Sequence, residues 1–122
     1  MAYVLPVSNI PITVVELPLF QQMAGRLWDD AEREAFVDFI SRNPEVGDVI
    51  PETGGVRKVC WRRQGTGKRG GERVIYFYHD AQMPLFLMLI YAKAQREDMT
   101  ADQKKQVRAL AAALRQAYGR RR

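Results

Sequence analysis

The chain has 122 residues, 47% of them hydrophobic, which suits one globular domain with a single core. No apolar run approaches the roughly 18 residues of a membrane span, so no membrane association is expected. One cysteine, Cys60, and one histidine, His79, exclude a disulfide framework and a zinc site built from Cys and His alone, and point to a reducing cytoplasm.

Residues 1–11 hold Pro6 and Pro11 and show no period, which predicts an extended tail. No secretory signal is expected, because a charged n-region and an apolar h-region are missing there. Residues 12–17, "ITVVEL", are β-branched and short, as a strand requires. Pro18 suits the first turn of a helix, where no amide donor is needed. Leu19, Phe20, Met23 and Leu27 then recur at helical spacing. Asp29 with Glu32 predicts the start of a second helix, whose apolar face is Ala35, Phe36, Phe39 and Ile40. Asn43-Pro44 ends it, since a residue before proline avoids the helical region.

Residues 43–55 are turn-rich and read as a connection. Residues 57–62 alternate, with Val59 and Trp61 on one face and Lys58, Cys60 and Arg62 on the other. Residues 73–78 are β-branched and aromatic, and residues 85–92, "LFLMLIYA", are apolar on both faces, as in a strand covered twice. Short connections make an antiparallel meander the simplest pairing of these three. Thr100 with Gln103 is a capping box. The helix it opens runs to about Tyr118, with Val107, Leu110, Ala111, Leu114 and Tyr118 as the buried stripe. Residues 119–122, "GRRR", predict a basic tail. The class is α+β: one domain over 1–122, with two N-terminal helices and a C-terminal helix packed on a mostly antiparallel sheet.

The charge is divided unevenly along the chain. Residues 1–56 carry three cations and nine acids, whereas residues 57–122 carry sixteen cations and five acids. Such a division implies one side that faces a polyanion. Its centre is residues 63–74, "RQGTGKRGGERV", with four glycines and four cations. Gly67-Lys68 is the dipeptide of a nucleotide-binding P-loop, but Arg62 stands at the first glycine position and Arg69 at the Ser/Thr position, and the loop joins two strands. A hairpin tip remains, presenting amide N–H groups and cations together to phosphates.

The segments "NPEVGDVIPETGGVRKV" (43–59), "GKRGGERVIYFY" (67–78) and "LIYAKAQREDMTADQ" (89–103) resemble, in that order, the RelE/ParE toxin superfamily and within it the HigB-like branch. The resemblance covers residues 34–114 and leaves the N-terminal tail aside. It implies the small RelE-like α+β fold. It also implies a type II toxin that enters the ribosomal A site and cuts messenger RNA there, thereby inhibiting translation. The implied partners are the 70S ribosome with its message and a cognate antitoxin, which in HigB-like systems commonly carries a helix-turn-helix domain. No metal or cofactor is expected. Two other readings stay open: a non-catalytic nucleic-acid-binding protein, and a ParE-like toxin that acts on gyrase.

Cleavage by attack of a 2′-hydroxyl on the neighbouring phosphate needs a base, cations for the phosphorane charge and an acid for the leaving 5′-oxygen. One histidine cannot supply a two-histidine mechanism; the resemblance implies one that leans on Lys, Arg and Tyr, in which a lysine crowded by other cations can act as the base. The resemblance assigns catalytic roles to Lys58, to Arg73 at the strand opening after the loop, and to Lys93 in the basic cluster after the last strand. The basic loop and the side chains near these positions, Arg57, Arg62, Arg63, Lys68, Arg69, Tyr91 and Arg96, are read as RNA or ribosome contacts. The chain departs from the family pattern at Cys60, Ala94 and Thr100, where a second strand lysine, a later arginine and a tyrosine are expected.

Overall fold

A computed structural model describes residues 11–62, 71–96 and 98–119. The elements run β1 (Val14–Glu16), α1 (Pro18–Leu27), α2 (Asp30–Arg42), β2 (Asp48–Val49), β3 (Val56–Trp61), β4 (Glu72–Phe77), β5 (Leu85–Ala92) and α3 (Ala101–Gly119). They form a five-stranded sheet in the order β1-β5-β4-β3-β2. The class is the expected α+β. The strands β2 to β5 pair antiparallel, and β1 adds to the free edge of β5 in parallel.

Local chemistry sets the helix starts. Pro18 opens α1 without a side-chain cap. The carboxylate of Asp29 accepts the Glu32 amide at 2.8 Å and opens α2. At α3 the capping box closes in both directions: Thr100 Oγ1 accepts the Gln103 amide at 3.0 Å, and Gln103 Oε1 accepts the Thr100 amide at 3.1 Å.

Each sheet face has its own core. Phe20, Ala24 and Trp28 of the α1 region and Phe36 and Ile40 of α2 pack on Val59, Val74, Tyr76, Leu85, Leu87 and Ile90. Val107 and Ala111 of α3 pack on the other face, among Val56, Ile75, Phe77, Met88, Leu89 and Tyr91. The doubly apolar run of β5 is thereby explained, with one irregularity. Ile75 pairs with Leu89 but Tyr76 pairs with Leu87, so Met88 is an extra residue and both Met88 and Leu89 face α3.

Four expectations change. The 43–55 connection contains the short strand β2, which pairs through Asp48 with Lys58 and through Val49 with Arg57. Leu19 and Leu110 are 44% and 38% exposed and Ala35 is also exposed, because each lies off the stripe that its helix turns to the sheet. The first strand is shorter than 12–17. Gly119 belongs to α3 and not to a tail; residues 1–10 and 120–122 lie outside the described residues. No helix among the described residues is long and apolar enough to cross a membrane.

Candidate nucleic-acid interface

Antiparallel pairing brings the end of β3, the start of β4 and the end of β5 to one margin of the sheet. There Cys60 pairs with Arg73, and Arg73 with Tyr91, in one row across three strands. The next row is Lys58, Ile75 and Leu89. Strand alternation puts Lys58, Cys60, Arg73 and Tyr91 on the α3 side, because Val56, Ile75 and Leu89 in the same columns pack in that core. The buried contacts of α3 begin at Val107, a turn and a half into the helix. Cys60 is therefore exposed and Lys58 and Arg73 are half-buried, while Tyr91 lies beneath them, buried.

The row is held by specific contacts. Arg73 Nη1 donates to Cys60 Sγ at 2.8 Å. The guanidinium of Arg96 stands 5.8 Å from the Tyr91 ring centre and donates to Gln103 Oε1 at 2.7 Å. That oxygen is the one that caps α3, so helix start and Arg96 are fixed together. The ammonium of Lys58 lies 4.0 Å from the Asp98 carboxylate. An acid that the sequence did not reveal thus stands beside Lys58. Lys93 follows β5 in a turn, half-buried, and its amide donates to the Gly71 carbonyl at 3.1 Å. Arg62 continues β3 and is exposed.

The structure thus groups Lys58, Arg73, Lys93, Tyr91, Arg96 and Arg62 at one sheet margin. Arg57 is elsewhere. It alternates with Lys58, and its guanidinium is spent on the carbonyls of Glu45 at 3.0 Å and Gly47 at 2.8 Å, bracing the segment before β2. Arg63, Lys68 and Arg69 lie outside the described residues. Thr100, a departure from the family pattern, has a structural task as the cap of α3, and Ala94 is exposed in the turn after β5. Sequence reading missed Asp98 and the second role of Gln103. Only the capping-box spacing signalled Gln103, and nothing in the local sequence ties Asp98 to a residue forty positions earlier.

Among the described residues, Tyr76 and Tyr78 have displaced ionisations, and both lie at the opposite sheet end. Burial first of all raises Tyr76 above the ordinary 10.0, against a partial offset from the Gly47 amide and Arg57. Tyr78 is raised by burial, then by Glu45 and Asp80. Neither belongs to the basic margin. What the margin can do is bind a phosphodiester: a guanidinium, with its fork of donors, and two lysines belong to one sheet margin beside the ends of the glycine-rich loop, and the row of Arg73 includes the buried Tyr91.

A family model described as the RelE toxin of the RelE/RelB toxin–antitoxin system matches residues 48–120, more than half of the chain and everything from β2 to α3. Among solved structures, the chain is similar to a double arginine-to-alanine mutant of the Escherichia coli toxin RelE in its free state. The TM-score is 0.51 at 13% identity, over 72% of this chain and 90% of that one, a likeness of fold.

Proposed function

The chain belongs to the RelE toxin family, and from that premise we propose that this toxin of a toxin–antitoxin system is a ribosome-dependent endoribonuclease that cuts messenger RNA in the A site. The observation that carries the reading is Arg73. It stands in the middle strand of the basic margin, between Cys60 and Tyr91, at the foot of the glycine-rich loop, with Lys58 one row below. A guanidinium so placed can take two oxygens of a phosphate as charge grows on them in the phosphorane.

In this reading Lys58 withdraws the 2′-hydroxyl proton and the oxygen attacks the adjacent phosphorus. Arg73 stabilises the added charge, and Lys93 protonates the departing 5′-oxygen. The products are a 2′,3′-cyclic phosphate and a 5′-hydroxyl. Asp98 neighbours Lys58 and can receive its proton or orient it. Arg62, Arg63, Lys68, Arg69 and Arg96 hold the backbone of message or ribosomal RNA, and Tyr91 supports the site from below. The motifs at 43–59 and 67–78 favour the HigB-like branch, and with it an antitoxin that carries a helix-turn-helix domain.

The test is cleavage of a short message by the purified toxin with and without programmed ribosomes. Cuts confined to the A-site codon and dependent on ribosomes are expected. Growth arrest with intact messages would overturn the reading in favour of a gyrase-directed toxin, and ribosome binding without cleavage would leave a binder of RNA.

A further inference from the structure

On the face of the sheet opposite Arg73, two buried acids are each bound by an indole. Glu72, 4% exposed, accepts from Trp28 Nε1 at 2.7 Å. Glu32, 5% exposed, accepts from Trp61 Nε1. Trp61 and Glu72 are themselves cross-strand partners, in the last pair of the β3–β4 ladder before the glycine-rich loop.

The indoles are anchored in the core. Trp28 lies between α1 and α2, its amide donates to the Ala24 carbonyl at 2.8 Å, and its ring packs at 5.2 Å from Phe36 and 6.3 Å from Phe20. Trp61 packs at 5.3 Å from Phe36 and 5.2 Å from Phe39. The donors are therefore rigid, and an indole N–H can only donate. A carboxylate buried without such a donor would be costly. Each acid is thus held to one place relative to the helices.

We propose that Glu72, bound by Trp28 and seconded by the Glu32–Trp61 pair, is a positioning residue for Arg73. The inference rests on the endoribonuclease reading for its importance, but not for its geometry. Strand residues alternate between faces, and a slip of one residue exchanges them. Glu72 and Arg73 are the first two residues of β4. Among the described residues, Trp61 and Glu72 are the last pair of the β3–β4 ladder on the loop side. A Glu72 tied to α1 and α2 therefore obliges Arg73 to point the other way, into the row with Cys60 and Tyr91. It also stops the loop ends from rocking across the sheet.

The test needs variants that lose the tie and still fold. The double variant Trp28→Phe/Glu72→Met removes donor and acceptor together and keeps the volume apolar, a change that can be nearly neutral for stability. Glu72→Gln keeps an acceptor oxygen for Trp28. Two readouts are followed on chains shown to be folded by circular dichroism. One is single-turnover cleavage on programmed ribosomes. The other is the alkylation rate of Cys60 by iodoacetamide, a local probe because Arg73 touches that sulfur; Arg73→Ala calibrates it.

The double variant is expected to cleave on the order of ten- to a hundredfold more slowly at unchanged ribosome affinity, as a misplaced catalytic group does. Its Cys60 alkylation rate should move to the Arg73→Ala value. Glu72→Gln should keep the parental values of both. Parental cleavage and parental alkylation in the folded double variant would overturn the proposal. So would a double variant that cannot fold, since the pair would then determine the fold and not the place of Arg73. A parental protein that never cleaves would refute the endoribonuclease reading alone, and the alkylation rates would still decide the role of Glu72.

Discussion

The guanidinium of Arg73 touches the sulfur of Cys60 at 2.8 Å, from the strand position directly opposite. The resemblance read from the sequence leads one to expect a lysine at the position of this thiol. The contact joins the residue proposed to meet the phosphate to the chain's one cysteine.

Arg73→Ala is expected to lower cleavage by about 10² to 10³, the usual loss when one charge-stabilising donor is removed. Ribosome binding should change little, because the charge is wanted mainly in the transition state. Alkylated Cys60 should behave similarly, since the added group occupies the space beside Arg73. Single-turnover cleavage and ribosome co-sedimentation measure both. Full activity of the alkylated protein would mean that the row does not meet the message.

Lys58 and Asp98 separate a chemical role from a structural one. Their side chains are 35% and 53% exposed at a separation of 4.0 Å, so the pair should contribute under about 1 kcal/mol to stability. Lys58→Ala should therefore leave urea denaturation almost unchanged while cleavage falls by about 10² or more. Asp98→Asn should cost less activity than Lys58→Ala. Equal toxicity of Lys58→Ala and the parent, at equal expression, would remove Lys58 from the mechanism.

Periodicity made α1, α2, β3 to β5 and α3 legible in the sequence, because each buries a stripe or a face. β2 was not, since its two residues carry no period and Val49 is 53% exposed. Nor was the parallel docking of β1, which depends on a crossover between distant segments. In the site, alternation correctly set Lys58 and Cys60 apart from Val59 and Trp61. It could not show that Arg57 would be absorbed by the Glu45 and Gly47 carbonyls, or that Asp98 would approach Lys58. Those are contacts between elements, and they leave no trace in local spacing.

Tyr76 carries a prediction on stability. Its buried hydroxyl donates to the Pro44 carbonyl at 2.8 Å and accepts the Gly47 amide at 2.9 Å. Tyr76→Phe leaves both backbone groups without it and should cost about 1–3 kcal/mol near neutral pH. Its ionisation is raised in the folded state, so its contribution is fully present below pH 10.0 and is lost as pH rises towards the folded value. The difference between parent and Tyr76→Phe should accordingly shrink above pH 10.0. Urea denaturation of both proteins at neutral pH and above pH 10.0 checks this. A difference that grows with pH would contradict it.

Lys68 and Arg69, which lie between β3 and β4 in the sequence, are expected to bind more than to catalyse. Lys68→Ala/Arg69→Ala should weaken ribosome co-sedimentation and flatten its dependence on salt, because fewer phosphates are neutralised. Single-turnover cleavage at saturating ribosomes should stay near the parental rate. Unchanged sedimentation across a salt series would remove the docking role from the loop.

Two glycines should respond in opposite directions to the same substitution. Gly71 closes the glycine-rich loop at φ +61, and a Cβ there would stand 2.3 Å from the Trp61 carbonyl oxygen. That oxygen belongs to backbone and cannot swing aside as a flexible side chain would. Gly71 also accepts the Lys93 amide, so a shift would reach the end of β5. Gly71→Ala should destabilise by about 1–3 kcal/mol and slow cleavage with it. Gly25 lies inside α1, where a Cβ would meet nothing within 4 Å. Gly25→Ala should stabilise by up to about 1 kcal/mol, the ordinary gain in a helix interior, with cleavage unchanged. Urea denaturation of the two variants decides the matter. A Gly71→Ala protein as stable as the parent would mean that the loop's foot yields freely, and that the place of Arg73 is not set from that side.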